Sequence, residues 1–265
     1  WGTNGSGQLG NGNNTIQGSP VQVSGLTSGV TQIATDSDSY YSNRHACAIH
    51  NGAVKCWGDN SYGQLGNGTT GGTSNVPVQV SGLTSGAAYV AVSLWHTCAV
   101  MSAGGVKCWG YNSHGQLGNG TTVNSNVPVD VIGVSGATMV SIASRYSCAI
   151  DGGALKCWGL NASGQLGDGT VTDRMSPVTA SGLSSGVTSV TTMSYDTSNS
   201  FTCAVHNGAA KCWGYGYNGR LGSAVGSATV PTQVTGFSSG VSKVSANFAG
   251  GCLLTTEGAV HCWGE

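Results

Sequence analysis

Cys47-Ala48-Ile49-His50-Asn51-Gly52-Ala53-Val54-Lys55-Cys56-Trp57-Gly58 is one of five copies of a single phrase, and its reading decides the fold. The other copies run Cys98–Gly110, Cys148–Gly159, Cys203–Gly214 and Cys252–Gly264. Together they hold all ten cysteines and five of the seven tryptophans, at a period of 49 to 55 residues. A period in that range belongs to propeller blades and related arrays.

Within the phrase, Asn51-Gly52 is a dipeptide favoured in two-residue hairpin turns. Counting outward from it, His50 faces Ala53, Ile49 faces Val54, Ala48 faces Lys55 and Cys47 faces Cys56. The cysteines then fall at a non-hydrogen-bonded pair, where opposed Cα atoms lie ~4.5 Å apart, at the short end of disulfide geometry. Cys203 and Cys212 repeat this about Asn207-Gly208, and Cys148 and Cys157 about Gly152-Gly153. Cys98–Cys108 and Cys252–Cys262 carry one more residue, which a longer or bulged turn absorbs. Ten buried reduced thiols are the alternative; the even count and matched spacing favour five bridges. Zinc is disfavoured, because the sulfurs recur two per repeat and not as a four-ligand cluster. Disulfides imply an extracellular, cell-surface or periplasmic setting, of which extracellular or cell-surface is the expectation.

The second repeat shows the rest of the unit. A turn-rich link at 115–120 precedes short alternating strands near 127–131, 137–143, 147–150 and 154–158. Four short strands per repeat make a blade. Pro20, Pro77, Pro128, Pro177 and Pro231 recur at one point, read as a strand start where no ladder donor is needed. The expectation is an all-β fold: a β-propeller of about five four-stranded blades, one hairpin disulfide per blade. It forms a single domain over 1–265, with repeat boundaries near Trp1, Trp57, Trp109, Trp158 and Trp213.

The links themselves carry a resemblance. Trp57–Thr69 (WGDNSYGQLGNGT), Trp109–Thr121 (WGYNSHGQLGNGT) and Trp158–Thr170 (WGLNASGQLGDGT) resemble the regulator-of-chromosome-condensation repeat, as do the Cys-Ala and Cys-Trp-Gly strands. The resemblance covers essentially the whole chain and implies a β-propeller. Family members include a nuclear exchange factor, a plant photoreceptor and a secreted bacterial inhibitor, so it does not choose a function. Five cysteine pairs, and a Trp95-His96-Thr97 segment that occurs once, set this chain apart from the first two. The secreted, disulfide-containing bacterial type is nearest in character.

Trp1-Gly2 and Trp263-Gly264 occupy the same point of the repeat, so a closed five-bladed ring would place both at one position. The five-bladed ring is the expectation; a displaced terminus, a window from a longer array, or successive copies meeting end to end are the alternatives. The start at Trp1, without an initiator Met or leader-like segment, reads as a processed product or such a window.

Composition narrows the function. Charged residues make up 7% of the chain and the net charge is −1, against ~25% in average proteins. No basic patch is available for phosphates, which disfavours nucleic acid, and no apolar run is long enough for a membrane span. No catalytic constellation emerges, and neither a cofactor nor a metal is implied. Asp36 and Asp38 lack the further oxygens of a calcium site and read as a solvated loop. His45 and His96, each two residues before a cysteine, read as packed, hydrogen-bonded histidines. The recurrent lysines 55, 107, 156 and 211 read as guards of an exposed strand edge. Gln64, Gln116 and Gln165 read as bonding backbone between blades.

Function is expected where the repeats differ. The candidate binding rim is Tyr40, Tyr41, Tyr62, Trp95, Tyr111, His114, Tyr195, Tyr215 and Tyr217, since exposed Tyr and Trp serve as interface anchors. The expected function is non-enzymatic: extracellular protein–protein interaction, or a self-assembling surface or filament scaffold built from the chain's own copies. A carbohydrate-binding or adhesive lectin-like propeller, with a glycan as partner, is the alternative.

Overall fold

The computed structural model describes residues 1–35, 44–194, 198–247 and 249–265. Its strands fall into five antiparallel sheets. The first holds β1 (Val30–Thr35), β2 (His45–His50), β3 (Ala53–Asp59) and β4 (Thr73–Gln79). The second holds β5 (Ala87–Val92), β6 (His96–Met101), β7 (Val106–Gly110) and β8 (Ser125–Asp130). The third holds β9 (Ala137–Ala143), β10 (Tyr146–Asp151), β11 (Ala154–Gly159) and β12 (Arg174–Thr179). The fourth holds β13 (Val187–Ser194), β14 (Ser200–His206), β15 (Ala209–Tyr215) and β16 (Ser227–Gln233). The fifth has three strands, β17 (Val241–Asn247), β18 (Gly250–Thr255) and β19 (Val260–Gly264).

The repeated phrase is the hairpin at the centre of each sheet. Cys47 pairs with Cys56 and Ile49 with Val54, and Asn51 and Gly52 turn at φ 51° and 78°. Both values are positive, as a type I′ turn requires. All five hairpins are closed by disulfides, with Cα atoms 4.0–4.1 Å apart.

The sheets are offset from the sequence repeat. The proline-bearing strand after each link folds back onto the Cys-Trp-Gly strand before it: Lys107 pairs with Asp130 and Cys108 with Val129. It therefore closes the preceding blade instead of opening the next. The ladder shifts between Cys108 and Gly110, and Pro128 sits in that irregularity, inside the outer strand and not at its start. A bulge on an edge strand needs no donor there. The repeated lysines also move: β3, β7, β11 and β15 each lie between two strands, so Lys55, Lys107, Lys156 and Lys211 do not guard an edge.

The core lies in the joints between successive sheets. One joint packs Val54, Cys47 and Cys56 of the first sheet with Val90 and Trp109 of the second; the next packs Val106 with Val140 and Trp158. Ile33, which takes the place of Val90 and Val140, is instead 59% exposed. Val260, which takes the place of Val54 and Val106, is 66% exposed, whereas those four valines are at most 1% exposed. The array is thus open between its first and fifth sheets, unlike the closed five-bladed ring expected from the sequence.

Candidate interaction face

Each link crosses to the following blade through one backbone oxygen. The indole N–H of Trp109 donates to the carbonyl of Gln64 at 2.9 Å, Trp158 to Gln116 at 2.8 Å and Trp213 to Gln165 at 2.9 Å. Trp57 donates to Gln8 and Trp263 to Arg220 in the same way. The glutamine side chains stay local instead of bridging blades, each carbonyl oxygen accepting the N–H two residues earlier, as in Tyr62 to Gln64 at 2.8 Å. The amide nitrogen of Gln64 finds Asp59. Tyr111 and Leu160 hold the equivalent place in the next two links, and the amide nitrogens of Gln116 and Gln165 are buried without a partner.

A second set of bonds crosses the same joints. The carbonyl of Gln64 also accepts the Thr97 hydroxyl at 2.9 Å, so His45 Nε2 donates to Thr97 Oγ1 at 2.7 Å. Likewise Ser147 donates to Gln116, and His96 Nε2 donates to Ser147 at 2.9 Å, while Ser93 Oγ lies 2.9 Å from His96 Nδ1. In the third blade Tyr146 replaces histidine and reaches Phe201 and Thr202. Burial lowers His45 to a pKa of about 3; burial and the neighbouring His45 lower His96 to about 3. Burial pushes the Tyr146 phenol up. These neutral groups tie blades together across the joints.

The rim residues separate into groups. Tyr62 on the first link, Trp95 on the turn between β5 and β6, and Tyr111 on the second link form one half-buried cluster. Ring centroids are 4.8 Å apart for Tyr62–Tyr111, 5.5 Å for Trp95–Tyr111 and 6.4 Å for Tyr62–Trp95. The Arg145 guanidinium lies 4.4 Å from the Trp95 ring, a cation–π distance. Arg145 holds in the third blade the place Trp95 holds in the second, so their contact follows from stacking neighbouring blades. Composition gave no signal for it.

His114 is not part of the cluster. Its Nδ1 bonds Asp173 at 2.8 Å, and Asp173 also accepts the Asn161 backbone N–H, so it tethers the second link to the third. Tyr215 and Tyr217 pair on the fourth link, centroids 5.1 Å apart. Tyr40, Tyr41 and Tyr195, with Asp36 and Asp38, lie outside the described residues. Among the described residues no three His, Cys, Asp or Glu side chains converge as a metal site, and no helix is long and apolar enough to cross a membrane.

Comparison with known proteins places this architecture. The model of the Regulator of chromosome condensation (RCC1) repeat matches residues 1–37, 51–100 and 103–150. The human E3 ubiquitin-protein ligase HERC2 is 35% identical over 153 residues, 56% of this chain. The Arabidopsis thaliana ultraviolet-B receptor UVR8 is 34% identical over 146 residues, 54% of this chain. The chain spans 3% of the ligase and 32% of the receptor. Human WBSCR16 superposes with a TM-score of 0.78 at 22% identity, over 99% of this chain and 69% of that one. Yeast RCC1, in its complex with Kap60, gives 0.78 at 20% identity, over 100% and 63%. These two likenesses concern the fold alone. With its links, blades and inter-blade tryptophans in register, the chain belongs to the RCC1 repeat family.

Proposed function

We propose that this chain is a non-enzymatic binding module that docks another protein on the Tyr62–Trp95–Tyr111 face. The observation that carries the reading is that cluster, with Arg145 seated on Trp95. Tyrosine, tryptophan and arginine are the residue types that dominate binding energy at protein interfaces. Yeast RCC1, which shares the fold, is found bound to another protein, Kap60, which agrees with the reading. The five disulfides favour an extracellular or cell-surface setting for that contact. In the test, proteins captured by the wild-type chain from its native extracellular fraction are compared with those captured by Trp95→Ala and Arg145→Ala. Loss of the same partner from both variants is the expected result; unchanged capture by both would end the proposal.

A second reading, self-assembly, is favoured by the open faces. Val54 and Val90 share one joint, and Val260 and Ile33 hold the same two places, exposed, at opposite ends of the array. Joining them between copies completes another joint of the same kind, a head-to-tail contact. Sedimentation should show concentration-dependent species above monomer mass that Val260→Asp abolishes. A concentration-independent monomer would discard this reading and leave the aromatic face untouched.

A further inference from the structure

The fourth link departs from the other three. In the second link Asn112 pins the returning loop, its amide donating to Thr121 and Val123 carbonyls at 3.0 and 2.9 Å while its oxygen accepts Leu117 N–H. Asn60 and Asn161 hold the same place in the first and third links. The fourth link has Gly216 there, and Arg220 where the others have glutamine. It passes instead through a short 3-10 turn at Tyr217–Gly219, with Asn218 at φ 59°. The turn leaves Tyr217 64% exposed, paired with Tyr215, and the Arg220 guanidinium lies 5.3 Å from the Tyr215 ring.

Beside this irregular link lies a cleft of about 570 Å³, between the third link and β16. Its walls include Tyr215, Val171 and Val230, with the hydroxyls of Ser163, Ser227 and Thr229 among them. Among the described residues no Asp, Glu, Lys or Arg lines it. The hydroxyls are placed to do different things. Ser227 Oγ accepts the Gly216 N–H at 3.1 Å, which leaves its own proton to donate. Ser163 Oγ donates to the Ser198 carbonyl at 2.6 Å, which leaves its lone pairs to accept.

We propose that this cleft binds a neutral sugar ring. Among the described residues that line the cleft none carries a charge to pair with a charged ligand, whose burial would go uncompensated. A purely apolar ligand would leave the Ser227 proton without an acceptor and the Ser163 lone pairs without a donor. A pyranose satisfies both constraints: its C–H face covers an aromatic ring, and its rim of hydroxyls both donates and accepts. The volume suits a small ligand. The inference goes beyond the protein-docking face, which is built on the first two links and the turns bearing Trp95 and Arg145, and shares no residue with this cleft.

The test is titration calorimetry of the full chain with glucose, galactose, mannose and N-acetylglucosamine, together with a neutral oligosaccharide array. At least one neutral sugar should bind saturably at millimolar concentration or below. Tyr215→Ala should weaken that binding about tenfold or more, while Tyr215→Phe retains most of it. Ser227→Ala with Thr229→Val, on the outer strand, should weaken it too, which keeps the test decisive if Tyr215→Ala fails to fold. Trp95→Ala should bind sugar like wild type whatever it does to protein capture, so the two proposals fail separately. Absence of saturable binding to every neutral sugar overturns the inference. So does sugar binding indifferent to the Tyr215 and Ser227/Thr229 changes, or a neutral peptide that occupies the cleft in place of sugar.

Discussion

The indole N–H of Trp109 donates to the carbonyl oxygen of Gln64 at 2.9 Å, across the joint between the first and second blades. The same oxygen accepts the Thr97 hydroxyl, so one backbone group of the link anchors two side chains of the next blade. Trp109→Phe keeps most of the ring's packing and removes one bond; it should cost about 1 kcal/mol. Trp109→Ala should cost about 3–5 kcal/mol, because it also opens a cavity. Urea unfolding curves on the two variants measure the difference, and equal losses would mean that the hydrogen bond adds nothing beyond packing.

Gly66 leans on the same tryptophan. A Cβ there would lie 2.6 Å from Trp109 Nε1, and its φ is +66°. Gly68 has φ +86° but meets nothing nearer than Ser81 Oγ, at 3.8 Å. Gly68→Ala should therefore cost about 1–2 kcal/mol from left-handed backbone strain alone. Gly66→Ala should cost about 1–3 kcal/mol more, from overpacking. Equal denaturation midpoints for the two variants would show that the link moves away from the indole freely.

Acid should loosen the joints through the buried histidines. His45 and His96 are held at about 3 when folded, against 6.5 as the ordinary value. The unfolded chain then binds more protons between these values, so stability is fully present above pH 6.5 and falls as pH drops toward 3. The slope is about 1.4 kcal/mol per pH unit for each histidine. Asp151 acts lower: burial raises it, but the Lys156 hydrogen bond and the Gly136 N–H outweigh burial and hold it below its ordinary 3.8. Chemical denaturation at stepped pH should give a shallower slope between pH 4 and 6 for His96→Gln. An unchanged slope would mean that His96 becomes charged in the folded protein.

The five disulfides should not reduce together. Cys47, Cys56, Cys98, Cys108, Cys148, Cys157, Cys203 and Cys212 have no exposed surface, whereas Cys262 on β19 is exposed. Graded reductant followed by alkylation and peptide mass measurement should label Cys252 and Cys262 first, because thiol–disulfide exchange needs access to sulfur. Loss of an interior bridge, as in Cys148→Ser with Cys157→Ser, should cost about 2–3 kcal/mol. First labelling at an interior pair would show that its joint opens more readily than the β19 face.

The hairpins were legible because their causes are local. Asn51-Gly52 and Asn207-Gly208 specify the turn within two residues, and the cysteine register follows by counting outward. The links were legible as repeats, yet their role was misassigned: Gln64 crosses the joint with its backbone carbonyl, which no side-chain type reveals. Pro128 and Lys107 were misplaced for one reason. A strand's partner depends on which way the link folds, and the link's composition suits either direction. Of the candidate rim, Tyr62, Trp95 and Tyr111 converge, His114 is occupied by Asp173, and Tyr215 with Tyr217 stands apart beside the cleft. Arg145 went unsuspected because its partner, Trp95, belongs to another blade.

By itself the sequence determined the antiparallel hairpins, their cysteine pairs, the all-β repeat and the family, because short-range turn chemistry and periodicity encode each of these. Tertiary structure alone decided which strand closes which sheet, which joints are filled, and which rim aromatics meet. Those outcomes depend on joints that bring together residues about fifty positions apart, such as His45 with Thr97. Their geometry is set by packing between blades, which no single repeat contains.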